Sequence, residues 1–309
     1  PYTTLFRSAR PFAANDSCKA PSFPRPGKGP KRKPSPPSPL CPATFRRSPS
    51  GALPPGAMQE AMLKIYNCDL HIHTCLSPCA ELDMHPKALV ERALARHLDI
   101  IAVSDHNASA NVPYVMAAAA GKNIRIIPAM EITTSEEVHL LALFGSLSDL
   151  LELQSIVDRH LFGENDEDRF GVQAVVNERG EVEGLNNQLL IGATDLPIDA
   201  IVDIIHGLGG LAVPAHIDRE SFSVLSQLGF IDESSHFDAL EISKRMGMRE
   251  GRIRYAELAR YPFVTSSDAH FLKDIGTSTT PILLKEATFE EIRMAVFGQN
   301  GRQILEEQC

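Results

Sequence analysis

The sequence predicts an α/β fold built from βα units with mainly parallel strands. Short apolar runs alternate with segments of helical period, and histidines and acids stand at the ends of those runs. One acidic stretch breaks the rhythm as an insertion would. With 309 residues, 43% of them hydrophobic, the chain can bury one full-sized core.

The first strand is expected over Ile65–Ile72 and a helix over Pro86–His97, with Leu89, Val90, Ala93 and Leu94 on its apolar side. Strand Leu98–Ser104, a helix near Pro113–Ala120, and strands Ile124–Met130 and Val138–Phe144 follow. Helices are expected at Leu147–Leu161 and Pro197–Leu208, then strands at Leu211–Ala215, Ala239–Ile242 and Phe263–Ser266. A last helix runs over Phe289–Phe297, capped by Thr288 with Glu290 and Glu291 in its first turn. The insertion, about 145–195, departs from the rhythm most clearly at Gly163–Ile191. There Val172–Val176 and Glu181–Leu185 read as a hairpin around Asn177–Gly180.

Residues 1–57 stand apart. They are rich in Pro, Ser, Arg and Lys, nearly free of acid, and without period, so they cannot offset the entropy of ordering. Their opening resembles translated sequencing-adaptor sequence. The expectation is a disordered or artefactual leader, a natural start at Met58 or Met62, and a folded domain over 58–309.

A net charge of −9 argues against a broad basic face, so stable duplex DNA binding is not expected; a small phosphorylated substrate or an oligonucleotide end is compatible with it. No apolar run approaches the roughly 18 residues of a membrane span, so no membrane partner is expected. Six cysteines without a regular framework favour reduced thiols and a cytoplasmic location. The sequence carries no signal for oligomeric state.

The polar residues at strand ends carry the chemistry. His71 and His73, in Asp-Leu-His-Ile-His-Thr, share a strand face at a spacing that suits a divalent metal. Asp105 and His106 close the second strand and Glu131 the third. His139 lies in the fourth, His216 follows Leu-Ala-Val-Pro-Ala, and Asp268 and His270 follow Phe-Val-Thr-Ser-Ser, with Glu241 a weaker member. In a parallel barrel such ends meet on one face. Imidazole and carboxylate donors suit Zn, Mn or Fe, and they are too many for one tetrahedral ion. A carboxylate such as Glu131 can bridge two metals.

In order, Asp-Leu-His-Ile-His-Thr, Ser-Asp-His-Asn, the Glu131 strand end, Pro-Ala-His-Ile and Ser-Asp-Ala-His resemble the motifs of the PHP (polymerase and histidinol phosphatase) superfamily over about residues 64–305. The resemblance implies a distorted (β/α)7 TIM-like barrel and two or three divalent metal ions that serve phosphoester hydrolysis by metal-activated water. It implies His71, His73, Glu131 and Asp268 at a first ion, Glu131, His139 and His216 at a second, and His106 and His270 at a third. The third position lacks the His or Asp common after the first motif; Cys79, in Ser-Pro-Cys, stands there and would add a thiolate. Glu131, His73 and Asp268 are the expected catalytic centre. The insertion resembles the subgroup acting on nucleoside bisphosphates and RNA 5′ ends, which implies a phosphate-gripping role for Arg219, with Lys244 and Arg245 as secondary candidates. The competing readings are an amidohydrolase-like C–N hydrolase, which also uses His-x-His but normally a lysine where this chain has Glu131, and a non-catalytic metal-binding module.

The remaining histidines (His85, His97, His160, His206, His236) are expected to be solvated or locally bonded. Arg219 has a plain alternative as an ion-pair partner, and Glu241 as a structural carboxylate.

Overall fold

Five buried residues in succession end strand β1 (Lys64–Ile72), so it lies at the centre of the sheet and not at an edge. The computed structural model describes residues 62–306 apart from 233; the leader expected over 1–57 lies outside the described residues. After β1 come α1 (Pro86–Ala95), β2 (Ile100–Val103), α2 (Val112–Ala119), β3 (Arg125–Thr133), β4 (His139–Leu143) and α3 (Leu147–His160). The insertion holds α4 (Glu167–Phe170) and the antiparallel hairpin of β5 (Ala174–Val176) and β6 (Val182–Leu185), where the sequence placed one. Then follow α5 (Ile198–Gly207), β7 (Leu211–Pro214), α6 (Val224–Leu228), β8 (Leu240–Ile242), α7 (Met248–Arg254), β9 (Phe263–Thr265), β10 (Thr280–Leu284) and α8 (Phe289–Val296), whose Thr288 cap accepts from the Glu291 N–H at 3.3 Å.

The fold is a distorted (β/α)7 barrel. β1, β2 and β3 pair in parallel, β4 joins β3, and β7 joins β4. The Ile217 N–H donates to the Glu241 carbonyl across β7 and β8 at 2.9 Å, and β8 pairs with β9. The ring returns to β1 through the Ile72–Ala269 bridge, where the His73 N–H donates to the Ala269 carbonyl at 3.0 Å.

Two pairings correct the expectation of mainly parallel strands. β4 runs antiparallel to both β3 and β7. Only residues 134–138 separate β3 from β4, far fewer than a parallel crossover needs. β10, which the sequence did not announce, pairs antiparallel with the first half of β1.

Strand residues of alternate parity form two apolar layers. Tyr66, Cys68, Leu70, Ile100, Ala102, Ile127, Ala129, Leu141, Leu143, Leu211, Val213 and Val264 fill the barrel. Ile101, Val103, Met130, Ile132, Leu140 and Ala142 face the helices, with Leu89, Leu153 and Ile201 packed on them.

Candidate metal centre

The barrel parity aims three of the polar residues. Glu131 continues the inward series Ile127, Ala129; His139 precedes Leu141 and Leu143; Glu241 follows Ala239. Because β4 is antiparallel, His139 reaches the site from the start of its strand, directly opposite Thr133 at the end of β3.

His71 and His73 are different. The inward residues of β1 are even-numbered through Leu70, so regular pleating would turn both histidines outward. A register shift against β2 between Asp69 and Ile72 reverses the parity and aims both rings inward. His216 and Asp268 are turned by left-handed backbone, with φ of 32° and 46°. Such conformations cost of order 1–3 kcal/mol for residues other than glycine and persist where surrounding structure imposes them.

The result is one cluster of six imidazoles with neighbouring ring centroids from 4.1 to 6.1 Å apart. Glu131 is at its centre, 1% exposed. Its two oxygens lie 3.3 Å from His71 Nε2, 3.4 Å from His73 Nε2, 2.9 Å from His106 Nδ1, 3.0 Å from His139 Nδ1 and 3.4 Å from His216 Nε2. Asp268 Oδ1 lies 3.5 Å from His71 Nε2, 3.3 Å from His73 Nε2 and 3.5 Å from His270 Nδ1.

Further polar groups fix the protons on the first pair. His71 Nδ1 donates to Glu241 Oε2 at 3.0 Å. Ser77 Oγ donates to Asp105 Oδ1 at 2.6 Å, so it accepts from His73 Nδ1 at 3.0 Å. In the neutral form that binds metal, each ring turns an Nε2 lone pair inward, and the two nitrogens are 3.1 Å apart. Lone pairs so placed repel unless a cation stands between them. Ligands at about 2.0–2.2 Å around a tetrahedral ion are separated by about 3.3–3.6 Å, and His71 and His73 stand 3.1 Å from each other and 3.3–3.5 Å from oxygens of Glu131 and Asp268. Among the described residues, Glu131 Oε1, His106 Nδ1, His139 Nδ1 and His216 Nδ1 are buried without a hydrogen-bond partner. The groups fit divalent metal, and three sets stand close enough to hold an ion: His71/His73/Glu131, His106/Glu131/His139 and His73/His106/His270.

A proton competes with a metal ion for the same inward nitrogens. Burial opposes charge on His71, but Glu241, Glu131 and Asp268 outweigh it and hold the ring well above its usual pKa. Burial likewise opposes ionisation of Glu131, yet His139, His71 and His106 hold its carboxyl well below the usual range. His139 falls to about 4 through burial and repulsion from His106 and His216, against the pull of Glu131. The Cys79 thiol, raised by burial, is drawn down to about 6 by His106 and His270. Cys79 stands at the rim of a cleft of about 840 Å³ that opens beside Asp268 and His270.

Arg219, Lys244 and Arg245 line that cleft. Arg219 Nη2 donates to Asp268 Oδ2, and Lys244 Nζ lies 3.5 Å from Asp274 Oδ2. Asp105 closes its strand but does not join the carboxylates of the cluster: it accepts from the Thr74 N–H and hydroxyl, each at 2.7 Å, and from Ser77. Sequence reasoning missed Ser77 and undervalued Glu241; a carboxylate of inward parity within a three-residue buried strand was the available signal. His85 caps α1, while His160 and His206 bond Asp195 and Asp238.

The PHP domain family matches residues 69–261, and a PHP-associated family matches residues 252–297. The chain belongs to the PHP family. Among curated relatives, YqxK of Bacillus subtilis is 33% identical over 106 residues, covering 33% of this chain and 27% of that protein. The 5′-3′ exoribonuclease Rnm of Salmonella typhimurium is 25% identical over 241 residues, covering 62% and 80%. Among solved structures, the lesion-specific endonuclease Q of Pyrococcus furiosus shares the fold with a TM-score of 0.62 at 21% identity, covering 78% of this chain and 58% of its own. Endonuclease Q bound to a 27-mer duplex with an abasic lesion gives a TM-score of 0.58. This PHP chain thus spans about a quarter of the first relative and less than two thirds of the endonuclease. Membership supports metal-dependent phosphoester hydrolysis, and no helix among the described residues is long and apolar enough to cross a membrane.

Proposed function

We propose that this chain hydrolyses a phosphoester at a cluster of two or three divalent ions. The observation that carries the reading is the pair of inward Nε2 atoms of His71 and His73, 3.1 Å apart, with both outer nitrogens committed to hydrogen bonds. His71, His73, Glu131 and Asp268 hold the first ion. Glu131, His139 and His216 hold the second, and His106, His270 and Cys79 the third. Ions held there supply Lewis acidity to the phosphoryl oxygens and lower the pKa of water.

Glu131 serves as the shared carboxylate, since one side chain touches five imidazoles. Arg219 ties its guanidinium to Asp268 through one N–H and has further donors for phosphoryl oxygens. Lys244 and Arg245 add positive charge at the same cleft. The substrate classes compatible with this cleft are a phosphomonoester, a nucleoside bisphosphate and an oligonucleotide end. The named activity of Rnm, a 5′-3′ exoribonuclease, favours the last.

The decisive experiment measures the metal content of anaerobically purified protein, then assays it with Mn, Zn or Fe on p-nitrophenyl phosphate, a nucleoside bisphosphate and a 5′-phosphorylated oligonucleotide. Turnover that vanishes in His73→Ala and Glu131→Ala is expected. Absence of turnover on every phosphoester, or turnover on amides instead, would overturn the hydrolase assignment.

A further inference from the structure

We infer that the segment 244–254, with α7 at its core, is a binding strip for single-stranded nucleic acid. In this role it would carry nucleotides that lie beyond the phosphate held at the metal cluster; the inference rests on the phosphoesterase reading above.

Residues 244–257 contain Lys244, Arg245, Arg249, Arg252 and Arg254 against Glu250 and Glu257, an excess of three positive charges in a chain whose net charge is −9. Lys244, Arg245, Arg249 and Arg254 are exposed. Among the described residues, Arg245 and Arg249 form no ion pair, and the Arg254 guanidinium lies over the Tyr255 ring at 5.8 Å. Arg252 turns back to Glu306 at 3.1 Å, and Lys244 Nζ lies 3.5 Å from Asp274 Oδ2.

The strip is continuous with the site. Lys244, Arg245, Met246 and Glu250 line the cleft beside Asp268, and Met246 and Glu250 also line a second, shallower hollow with Arg249, Ile253 and Arg254. Ile253 is 75% exposed there, an apolar patch between guanidinium groups. Arginines around an apolar patch suit a chain of phosphates with bases free to stack. One face of the helix is packed, with Met248 and Gly251 buried. Gly251 packs on β8 so closely that a Cβ would come 2.8 Å from the Ile242 side chain, and Arg249, Ile253 and Arg254 lie exposed on the other side.

A small monoester has no use for charge beyond the cleft. A duplex needs a broader positive face than one seven-residue helix, about 10 Å long, presents. One flexible strand fits both limits.

The test compares the full chain with Arg249→Glu/Arg254→Glu and with Arg249→Lys/Arg254→Lys. Fluorescence anisotropy in EDTA reads binding of 3′-labelled oligothymidylates of 2 and 12 nucleotides and of a 12-base-pair duplex. The 12-mer should bind at least tenfold tighter than the dimer. The glutamate variant should abolish that difference and flatten the salt dependence by about 1.4 in log–log slope, the value for two single-strand phosphate contacts. The lysine variant should retain binding, and p-nitrophenyl phosphate hydrolysis by metal-loaded protein should stay within twofold in both. Equal affinity for dimer and 12-mer, an unchanged 12-mer affinity in the glutamate variant, or duplex binding tighter than single-strand binding overturns the strip. Loss of hydrolysis in the wild type with length-dependent binding intact counts against the hydrolase reading instead.

Discussion

Ser77 Oγ stands 3.0 Å from His73 Nδ1 and donates its own O–H to Asp105, 2.6 Å away. The relay fixes the His73 tautomer with Nε2 free, without placing a charge against the ring. Ser77→Ala should leave the fold intact and weaken metal retention about 10–100-fold, the usual effect of removing a group that orients a ligand. Competitive chelator titration would measure it; unaltered affinity would show that the ring needs no such support.

Glu241 performs the same service for His71 and also accepts from the His216 N–H at 3.0 Å. Glu241→Gln keeps an oxygen for both donors but removes the charge. It should retain part of the affinity that Glu241→Ala loses, with the alanine variant down about 10–100-fold. Equal retention in the two variants would assign Glu241 a packing role alone.

The path from sequence to site was legible where pleating alone decides direction. Glu131, His139 and Glu241 fall on the inward parity of their strands, so their convergence follows from alternation once the strands are placed. His71 and His73 share a face by their spacing, but which face depends on the register shift of β1 against β2, a property of the pair and not of either strand. His216 and Asp268 depend on positive φ at residues where nothing in the local sequence demands it. The antiparallel course of β4 could have been drawn from the five residues between Thr133 and His139. β10 and α7 were missed for plainer reasons: one follows a Ser/Thr-rich turn, and the other contains a glycine and four charges in seven residues.

Cys79 offers a spectroscopic test. Its thiol lies beside His106 and His270, which draw it down to about 6 against the effect of burial. If it joins His106 and His270 at the third ion, Co(II)-substituted protein should show a sulfur-to-cobalt charge-transfer band in the near ultraviolet. Cys79→Ser should lose the band and about one equivalent of cobalt while the first two ions remain. A spectrum identical in both proteins would place the thiolate outside the metal centre.

Far from the metals, Glu291 in the first turn of α8 accepts from Arg302 Nε at 2.9 Å and Nη2 at 2.8 Å, and from the Lys285 N–H at 2.7 Å. Arg302 and the Lys285 N–H together hold its carboxyl below its ordinary value of 4.5, against the effect of burial. A carboxyl depressed in the folded state stabilises the fold above its unfolded pKa, and that contribution fades as pH falls through the folded value. At pH 7, Glu291→Gln should therefore melt below the wild type. The gap should be constant down to about pH 5, narrow below pH 4.5, and close once Glu291 is protonated in both states. Thermal melts across pH 3–8 would record it, with the metal chelated throughout so that ligand protonation at the cluster does not move the baseline. A gap independent of pH would mean that Arg302 and the Lys285 N–H are held as well by a neutral amide as by the carboxylate.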